Sequence, residues 1–331
     1  MALERMPAVV KAAPGADGVR LQSVPVPQPA AGMALVWVAA TGICGTDIHI
    51  ARDEYAHELG VVMGHEICGV VESAHDAALV GARVAVETYF STCGVCDWCR
   101  SGRINLCPRR RSIGSFENGG FAPWVLVPLR NLHVLPASVD GVEGALSEPL
   151  ACVAHCLMDP PVVAAGDRVL VTGPGAMGQL AAQVAAACGG VVTLVGLPQD
   201  AERLAVAEKL GMRTTAGTPD EDAFDVVIEC SGSVGGARTA LASARRGARY
   251  VQVGIFGREV ELPFDLVLYK ELVVSSGFAS TPTSWRRAMT LIRDGAVELA
   301  PLVTRSVPLD EWAAAFEAAR TGAGIKTVIV P

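Results

Sequence analysis

The sequence predicts an α/β protein made of a β-rich domain and a doubly wound parallel sheet domain. Its 331 residues exceed what one hydrophobic core comfortably holds, and 51% of them are hydrophobic, which is enough to fill two cores. The pattern of the chain also changes along its length. Short β-type runs give way, from about residue 167, to apolar runs that alternate with helical segments.

The β-rich domain is predicted over residues 1–148. Runs such as ALVWVAA and GARVAVE are separated by Gly and Pro, a pattern typical of a barrel-like or irregular β domain. No internal repeat interrupts this pattern.

The parallel sheet domain is predicted over residues 149–294. Strand and helix patterns follow in turn as RVLVTG, QLAAQVAAACG, VVTLVG, DAERLAVAEKLG, FDVVIECSG and RYVQVG, which indicates a doubly wound sheet. Residues 295–331 carry one amphipathic helix and a last strand. We expect this tail to leave the sheet domain and pack back on the first domain.

Composition excludes several classes of function. A net charge of −7 argues against a nucleic acid partner, because such binding depends on cations set against phosphates. We expect no membrane anchor and no signal peptide, since no apolar run approaches the length of a span and MALERMPAVV lacks an apolar stretch after a basic start. Ten cysteines without a secretory signal indicate reduced thiols and a cytoplasmic protein.

Four cysteines lie close together in CGVCDWCRSGRINLC, at positions Cys93, Cys96, Cys99 and Cys107. Two disulfides in so short a segment are strained, and a redox pair needs only two sulfurs, whereas a tetrahedral ion accepts four thiolates. The spacing therefore favours zinc. A site of four thiolates is closed to substrate, so it braces the loop and carries no reaction.

A glycine-rich turn follows the predicted strand RVLVT. Gly173, Gly175 and Gly178 have the G-x-G-x-x-G spacing, which permits a tight turn, close approach of a pyrophosphate to the backbone, and close packing of helix on strand. This context predicts a dinucleotide site. Its candidate residues in the turn are Gly173, Pro174, Gly175, Ala176, Met177 and Gly178.

The position that selects between NAD and NADP lacks its usual acid. The second strand, VVTLVG, ends at Gly196, and the nearest charged residues are Asp200 and Arg203, which fit a helix N-cap and a solvated helix face equally well. The sequence leaves the choice between NAD and NADP open, and it favours NAD because no arginine adjoins Gly196. Further candidate cofactor contacts are Gly196, Arg203, Ser231 and Gly254.

A second set of ligand-type residues is scattered through the β-rich domain. Cys44 lies in GICGTDIH, His65 and Glu66 lie in GHE, and Glu148 lies in LSEPLA. Singly, each fits a structural role in a core or a turn. Together they offer a thiolate, an imidazole and carboxylates, a set suited to zinc with an exchangeable water.

These motifs together resemble the zinc-dependent medium-chain dehydrogenases, and most closely their sorbitol and threonine dehydrogenase branch. CGTDIH, GHE, the four-cysteine loop, SEPLA and GPGAMG occur in the order found in that family, over nearly the whole chain. The resemblance implies a GroES-like catalytic domain at 1–148 with a structural zinc lobe at 93–107. It also implies a Rossmann domain at 149–294 and a return to the catalytic domain at 295–331.

The resemblance also implies the composition of the metal centres. Cys44 and His65 are expected to bind a catalytic zinc, with Glu66 or a water completing it and Glu148 either binding or one water away. The four-cysteine loop is expected to hold a second zinc, so that each chain carries two. Asp47 is expected to accept a hydrogen bond from His65.

The resemblance further implies the reaction. We expect hydride transfer between a secondary alcohol of polyol or amino-alcohol type and NAD or NADP, with Thr46 and His49 relaying the alcohol proton to solvent and Glu148 at the catalytic centre. The partner is then a small-molecule alcohol or ketone, and the family suggests a homodimer or homotetramer. Alternatives are a carbonyl reductase or primary-alcohol dehydrogenase on the same scaffold, or an inactive nucleotide-binding or structural homologue.

Overall fold

The computed structural model describes residues 4–331 and divides them into two compact units. The first unit contains the chain up to Glu148 together with Val303–Pro331, and the second contains Pro149–Leu302. The first unit is β-rich and the second is built on a parallel sheet, so the predicted fold class is confirmed. Within residues 4–331 no helix combines the length and the apolar character that a membrane crossing requires.

The first unit begins with ten short strands and two short helices. In chain order these are β1 (Arg5–Lys11), β2 (Val19–Pro25), β3 (Met33–Gly42), α1 (Gly45–Ala51), β4 (Val61–Val62), β5 (Glu66–Ala74), β6 (Arg83–Val86), β7 (Tyr89–Ser91), α2 (Asp97–Arg100), β8 (Arg111–Ser112), β9 (Trp124–Pro128) and β10 (Leu132–Val134). A third helix, α3 (Ser147–Met158), runs through the boundary between the units.

The second unit alternates strands and helices. Its elements after α3 are β11 (Arg168–Thr172), α4 (Ala176–Ala187), β12 (Val191–Val195), α5 (Ala201–Lys209), β13 (Arg213–Thr215), β14 (Phe224–Glu229), α6 (Val234–Ser243), β15 (Ala244–Gln252), α7 (Asp265–Tyr269), β16 (Val273–Ser276) and α8 (Pro282–Arg293). The chain then returns to the first unit with β17 (Val303–Pro308), α9 (Trp312–Thr321) and β18 (Lys326–Val330).

The largest sheet of the first unit has seven strands. Its order is β10-β6-β5-β3-β18-β17, and β9 also pairs with β3. The central strand β3 is antiparallel to both β5 and β18, with Gly42 opposite Glu66 on one side and Val328 on the other. This register brings the end of β3, the start of β5 and the last strand of the chain to one place.

The six strands of the second unit are all parallel, in the order β13-β12-β11-β14-β15-β16. Its middle strands are apolar without alternation, as expected for strands covered by helices on both faces. The fully buried hydrophobic residues of β11 and β14 are Val169, Leu170, Val171, Val226, Val227 and Ile228. The strand order reverses between β11 and β14, where doubly wound sheets bind their ligands.

The second boundary between the units lies later than the sequence predicts. The sequence places it after residue 294, whereas residues 295–302 belong to the second unit. The Gln183 side chain on α4 explains the difference, because it donates to the Glu298 carbonyl at 3.1 Å and accepts from the Glu298 amide at 2.8 Å. Leu302 is also fully buried.

Candidate functional site

The four-cysteine loop forms a compact cluster around α2. The sulfurs of Cys93, Cys96, Cys99 and Cys107 all lie within 4.8 Å of one another. Cys93 Sγ and Cys99 Sγ are 3.9 Å apart, far longer than the roughly 2.05 Å of a disulfide bond. None of the ten cysteines, all of which lie within residues 4–331, forms a disulfide, so the strained-disulfide alternative does not apply.

The electrostatics of this cluster suit a cation. The backbone amides of Val95 and Cys96 lower the pKa of the Cys93 thiol to about 5. The Cys99 amide acts to lower the pKa of Cys96, but burial and the three neighbouring sulfurs raise it to about 11. Four sulfurs this close cannot all be thiolates without a positive charge among them, and a tetrahedral divalent ion supplies one.

A second cluster forms where β3 ends and β5 begins. Cys44 is the N-cap of α1, two residues after β3, while His65 and Glu66 enter β5 beside it. One ligand atom from each of Cys44, His65 and Glu66 lies within 4.8 Å of the other two. Gly42 makes room for this arrangement, since a Cβ there meets Glu66 Oε2 at 2.0 Å.

Asp47 fixes the geometry around His65. One oxygen of its buried carboxylate, Oδ2, accepts from the Cys44 amide at 2.9 Å, and the other, Oδ1, lies 3.6 Å from His65 Nδ1. Burial alone lowers the pKa of His65, but the Asp47 carboxylate and the Cys44 sulfur raise it well above its usual value. The ring is therefore oriented by an acid, as metal-bound histidines generally are.

Lys326 joins this cluster from the other end of the chain. Its Nζ lies 2.8 Å from both oxygens of Glu66 and donates to the Ile43 carbonyl at 3.1 Å. Burial acts to lower the pKa of Lys326, and the Glu66 carboxylate and Cys44 sulfur overcome it and raise the pKa. Sequence reasoning missed this lysine, although a charged residue that opens the apolar strand KTVIV is a signal.

Glu148 stands apart from the group of three. It is buried at the start of α3, and its Oε1 accepts from Thr88 Oγ1 at 2.9 Å. Of the two carboxylates that the sequence leaves open as ligands, the structure groups Glu66 with Cys44 and His65 and does not include Glu148.

The two residues of the expected proton path lie on α1. Thr46 Oγ1 is 3.7 Å from Cys44 Sγ. His49 Nδ1 is 2.7 Å from Glu54 Oε2, and the His49 side chain is 32% exposed. Thr46 thus lies close to Cys44, whereas His49 contacts Glu54 and reaches solvent.

The glycine-rich turn lies between β11 and α4. Gly173 has a φ of +90°, and a Cβ there meets the Ser231 backbone at 2.7 Å. A Cβ at Gly178 meets the Gly173 carbonyl at 1.8 Å, whereas Gly175 faces open space. The first and third glycines are therefore required by packing, and the second leaves the backbone accessible, as a pyrophosphate site needs.

The remaining candidate cofactor residues cluster at the same edge of the sheet. Pro174 lies in the turn and Ala176 and Met177 open α4, while Gly196, Ser231 and Gly254 follow β12, β14 and β15. Arg203 lies on α5 instead of at a strand end, and its side chain donates to Asp200 Oδ1 at 3.1 Å.

Asp200 is also engaged with the backbone. Its Oδ2 accepts from the Leu197 amide at 2.9 Å, so both of its oxygens have partners.

Two sequence families match the chain. Residues 30–137 match the alcohol dehydrogenase GroES-like domain, and residues 176–294 match the zinc-binding dehydrogenase family. A sorbitol dehydrogenase from Halalkalibacterium halodurans is 36% identical, over 98% of this chain and 99% of that protein. A D-arabitol-phosphate dehydrogenase from Enterococcus avium is 35% identical, over 98% of this chain and 97% of that protein.

A solved structure is similar over the full length. It is a protein from Sinorhizobium meliloti 1021 described as a zinc-binding dehydrogenase bound to NADP, with a TM-score of 0.90 and 33% identity, covering 99% of this chain and 100% of that one.

The buried Glu66–Lys326 pair generates a prediction about stability. In metal-free protein, Lys326→Met leaves the Glu66 carboxylate buried without a cation, and we expect the free energy of unfolding to fall by about 3 kcal/mol. Chemical denaturation measures this change. The double variant Lys326→Met with Glu66→Gln should recover at least half of the loss, because no charge is then left unpaired. A single variant as stable as the unmodified protein would contradict this account.

Proposed function

This chain belongs to the zinc-binding dehydrogenases, and from that membership we propose that it transfers hydride between a secondary alcohol of polyol or amino-alcohol type and NAD(P). The observation that carries the proposal is the grouping of Cys44, His65 and Glu66 within 4.8 Å. Three mixed ligands leave a fourth position for substrate, unlike the closed four-cysteine cluster.

In the proposed site Cys44, His65 and Glu66 hold the catalytic zinc. When bound, zinc supplies Lewis-acid chemistry that lowers the pKa of the alcohol hydroxyl. Asp47 keeps the His65 ring in the binding orientation, and Lys326 holds the Glu66 carboxylate in place. Glu148 accepts a hydrogen bond from Thr88 and does not bind the zinc directly.

Thr46 and His49 form the proposed proton path. The Thr46 hydroxyl lies beside Cys44 and accepts the proton of the alcohol. His49, half-exposed and oriented by Glu54, passes it to solvent. A proton leaving by this route would pass only along residues of the first unit.

Two alternatives remain distinct from this proposal. A carbonyl reductase or primary-alcohol dehydrogenase would use the same residues on a different substrate. The polyol class is favoured because the relatives named above are sorbitol and D-arabitol-phosphate dehydrogenases. An inactive homologue is disfavoured, because Cys44, Thr46 and His65 are all present and close together.

We also propose that the protein works in the cytoplasm. None of the ten cysteines within residues 4–331 forms a disulfide, and four of them must stay reduced to hold the proposed structural zinc.

Zinc content and turnover test the assignment of the two clusters. We expect about two zinc ions per chain in protein prepared without chelator. Cys44→Ala should lose one zinc and nearly all oxidation of polyols, amino alcohols and secondary alcohols, yet still bind dinucleotide. Cys96→Ser should also lose one zinc, but should mainly lower thermal stability, because its cluster is closed.

The two cysteine variants control for each other, since each removes one sulfur from one cluster. The function proposal fails if unmodified, zinc-loaded protein oxidises none of these alcohols with either cofactor. The site assignment fails if Cys44→Ala turns over alcohol at the unmodified rate.

We propose that both NAD and NADP are accepted. Both oxygens of Asp200 already accept hydrogen bonds, from the Leu197 amide and from Arg203, so neither residue is dedicated to the ribose or to a 2′-phosphate. An acid at Gly196 itself is a poor test, because a Cβ there meets Pro174 Cγ in the glycine turn at 2.9 Å. Leu197 is the next residue and is 58% exposed.

Leu197→Asp should therefore lower kcat/KM with NADP at least tenfold relative to NAD, since its carboxylate repels a 2′-phosphate. Leu197→Asn is the uncharged control of equal size and should leave the ratio within about threefold. Equal loss with both cofactors in Leu197→Asp would show that Leu197 does not face the ribose.

We propose a homodimer formed through the edge strand β16, with a homotetramer as the larger alternative. An edge strand offers unpaired backbone groups to another chain, and its Val273 side chain is 61% exposed. The adjacent α7 region exposes Phe264, Leu268 and Tyr269, which makes the surface apolar.

Val273→Lys should convert the assembly to monomer, because a charge on this edge opposes strand pairing. Light scattering coupled to size exclusion measures the mass. Leu21→Lys, an exposed apolar position on β2 in the first unit, is the control and should leave the mass unchanged. A Val273→Lys protein of unchanged mass places the interface elsewhere.

A further inference from the structure

Glu229 is a buried carboxylate to which the proposed reaction assigns no role. It ends β14 and is 0% exposed. Within residues 4–331 no lysine, arginine or histidine lies within ion-pair distance of it. A buried charge without a counter-charge is rare, because desolvation disfavours it strongly.

Hydrogen-bond donors satisfy this carboxylate instead of a cation. Oε1 accepts from the Ser231 amide at 2.7 Å, from the Ser231 hydroxyl, and from Thr172 Oγ1 at 3.3 Å. Oε2 accepts from Gln252 Nε2 at 2.7 Å, and the Gly232 amide lies 3.1 and 3.2 Å from the two oxygens. Both oxygens accept hydrogen bonds from N–H groups, the donors that suit a carboxylate.

These donors come from the carboxyl ends of three neighbouring strands. Thr172 ends β11 directly before the glycine turn, Ser231 and Gly232 follow β14, and Gln252 ends β15. In a sheet of this order the second strand serves the adenosine half of a dinucleotide, so β14 and β15 serve the nicotinamide half. Glu229 therefore lies beneath the half of the site that receives the reacting ring.

The charge of Glu229 acts on two neighbouring titratable groups. The pKa of the Cys230 thiol is raised well above its usual value, mainly by burial and secondly by the Glu229 charge. The same two causes, in the same order, raise the pKa of Tyr250, whose hydroxyl donates to Gln252 Oε1 at 2.6 Å. Both shifts have the direction that a negatively charged Glu229 carboxylate produces.

We propose, given the dinucleotide site of the proposed function, that Glu229 makes the site favour the oxidised cofactor over the reduced one. The oxidised nicotinamide ring carries a positive charge and the reduced ring carries none. A fixed negative charge under this half of the site stabilises only the former. Glu229 is a positioning residue as well, because it sets the Ser231 backbone on which Gly173 packs.

Binding measured separately for each oxidation state tests this inference. Dissociation constants of NAD+ and NADH, and of NADP+ and NADPH, are obtained by calorimetry for the zinc-loaded protein. Glu229→Gln should weaken the oxidised form relative to the reduced form by about three- to tenfold, the order of effect of one charge at an effective dielectric constant near 20. A merely structural role would weaken both forms equally.

Asp225→Asn is the matched control. Asp225 lies on the same strand but near its amino end, where Arg168 and Arg245 neutralise it. Its removal should leave the ratio of the two dissociation constants unchanged, even if stability falls. A ratio that changes equally in Asp225→Asn would overturn the inference.

Gln252→Lys gives a second test that leaves Glu229 in place. An ammonium group at this position neutralises the carboxylate, so binding of the oxidised cofactor should weaken relative to the reduced one, as in Glu229→Gln. If Glu229→Gln does not fold, the Gln252→Lys variant tests the inference on its own. Unchanged ratios in the folded variants overturn the inference but leave the proposed function intact, whereas an unmodified protein that binds neither dinucleotide overturns both.

Discussion

The ion pair between Glu66 and Lys326 is the constraint on which the first unit depends. Both charges are buried, and such charges are tolerated only when they meet with good geometry. Lys326 can reach Glu66 only if β18 pairs with β3 in the observed register, with Ile329 opposite Thr41. The β3–β5 register, with Gly42 opposite Glu66, sets Glu66 beside Cys44 and His65. Pairing of β3 with both β5 and β18 therefore brings the candidate metal ligands and Lys326 together.

Glu66 and Glu229 show two ways of burying a carboxylate. Glu66 is matched by a full positive charge, and the pair is electrically neutral toward its surroundings. Glu229 is matched only by dipoles, which stabilise it locally without neutralising it. The first arrangement suits a residue that a cation will also contact, and the second suits a residue whose field acts at a distance.

The sequence alone predicts the features whose residues lie close together along the chain. The glycine turn, the four-cysteine loop and the alternating strands and helices each lie within a few dozen residues, so spacing and periodicity predict them. Glu66 and Lys326 are separated by 260 positions, and no local pattern connects them. The late boundary at Leu302 escaped prediction for the same reason, because it rests on Gln183 meeting the backbone of Glu298.

The interrupted path of the chain through the first unit has a consequence for synthesis on the ribosome. The second unit is one continuous segment and can fold as soon as its last residues emerge. The seven-stranded sheet, by contrast, lacks β17 and β18 until residues 303–330 are made. Until then the end of β3 at Thr41 and Gly42, where β18 pairs, has one unpaired edge. Residues 5–134 of the first unit are thus made before the second unit but paired completely only after it, and during that interval their unpaired strand edges are open to aggregation.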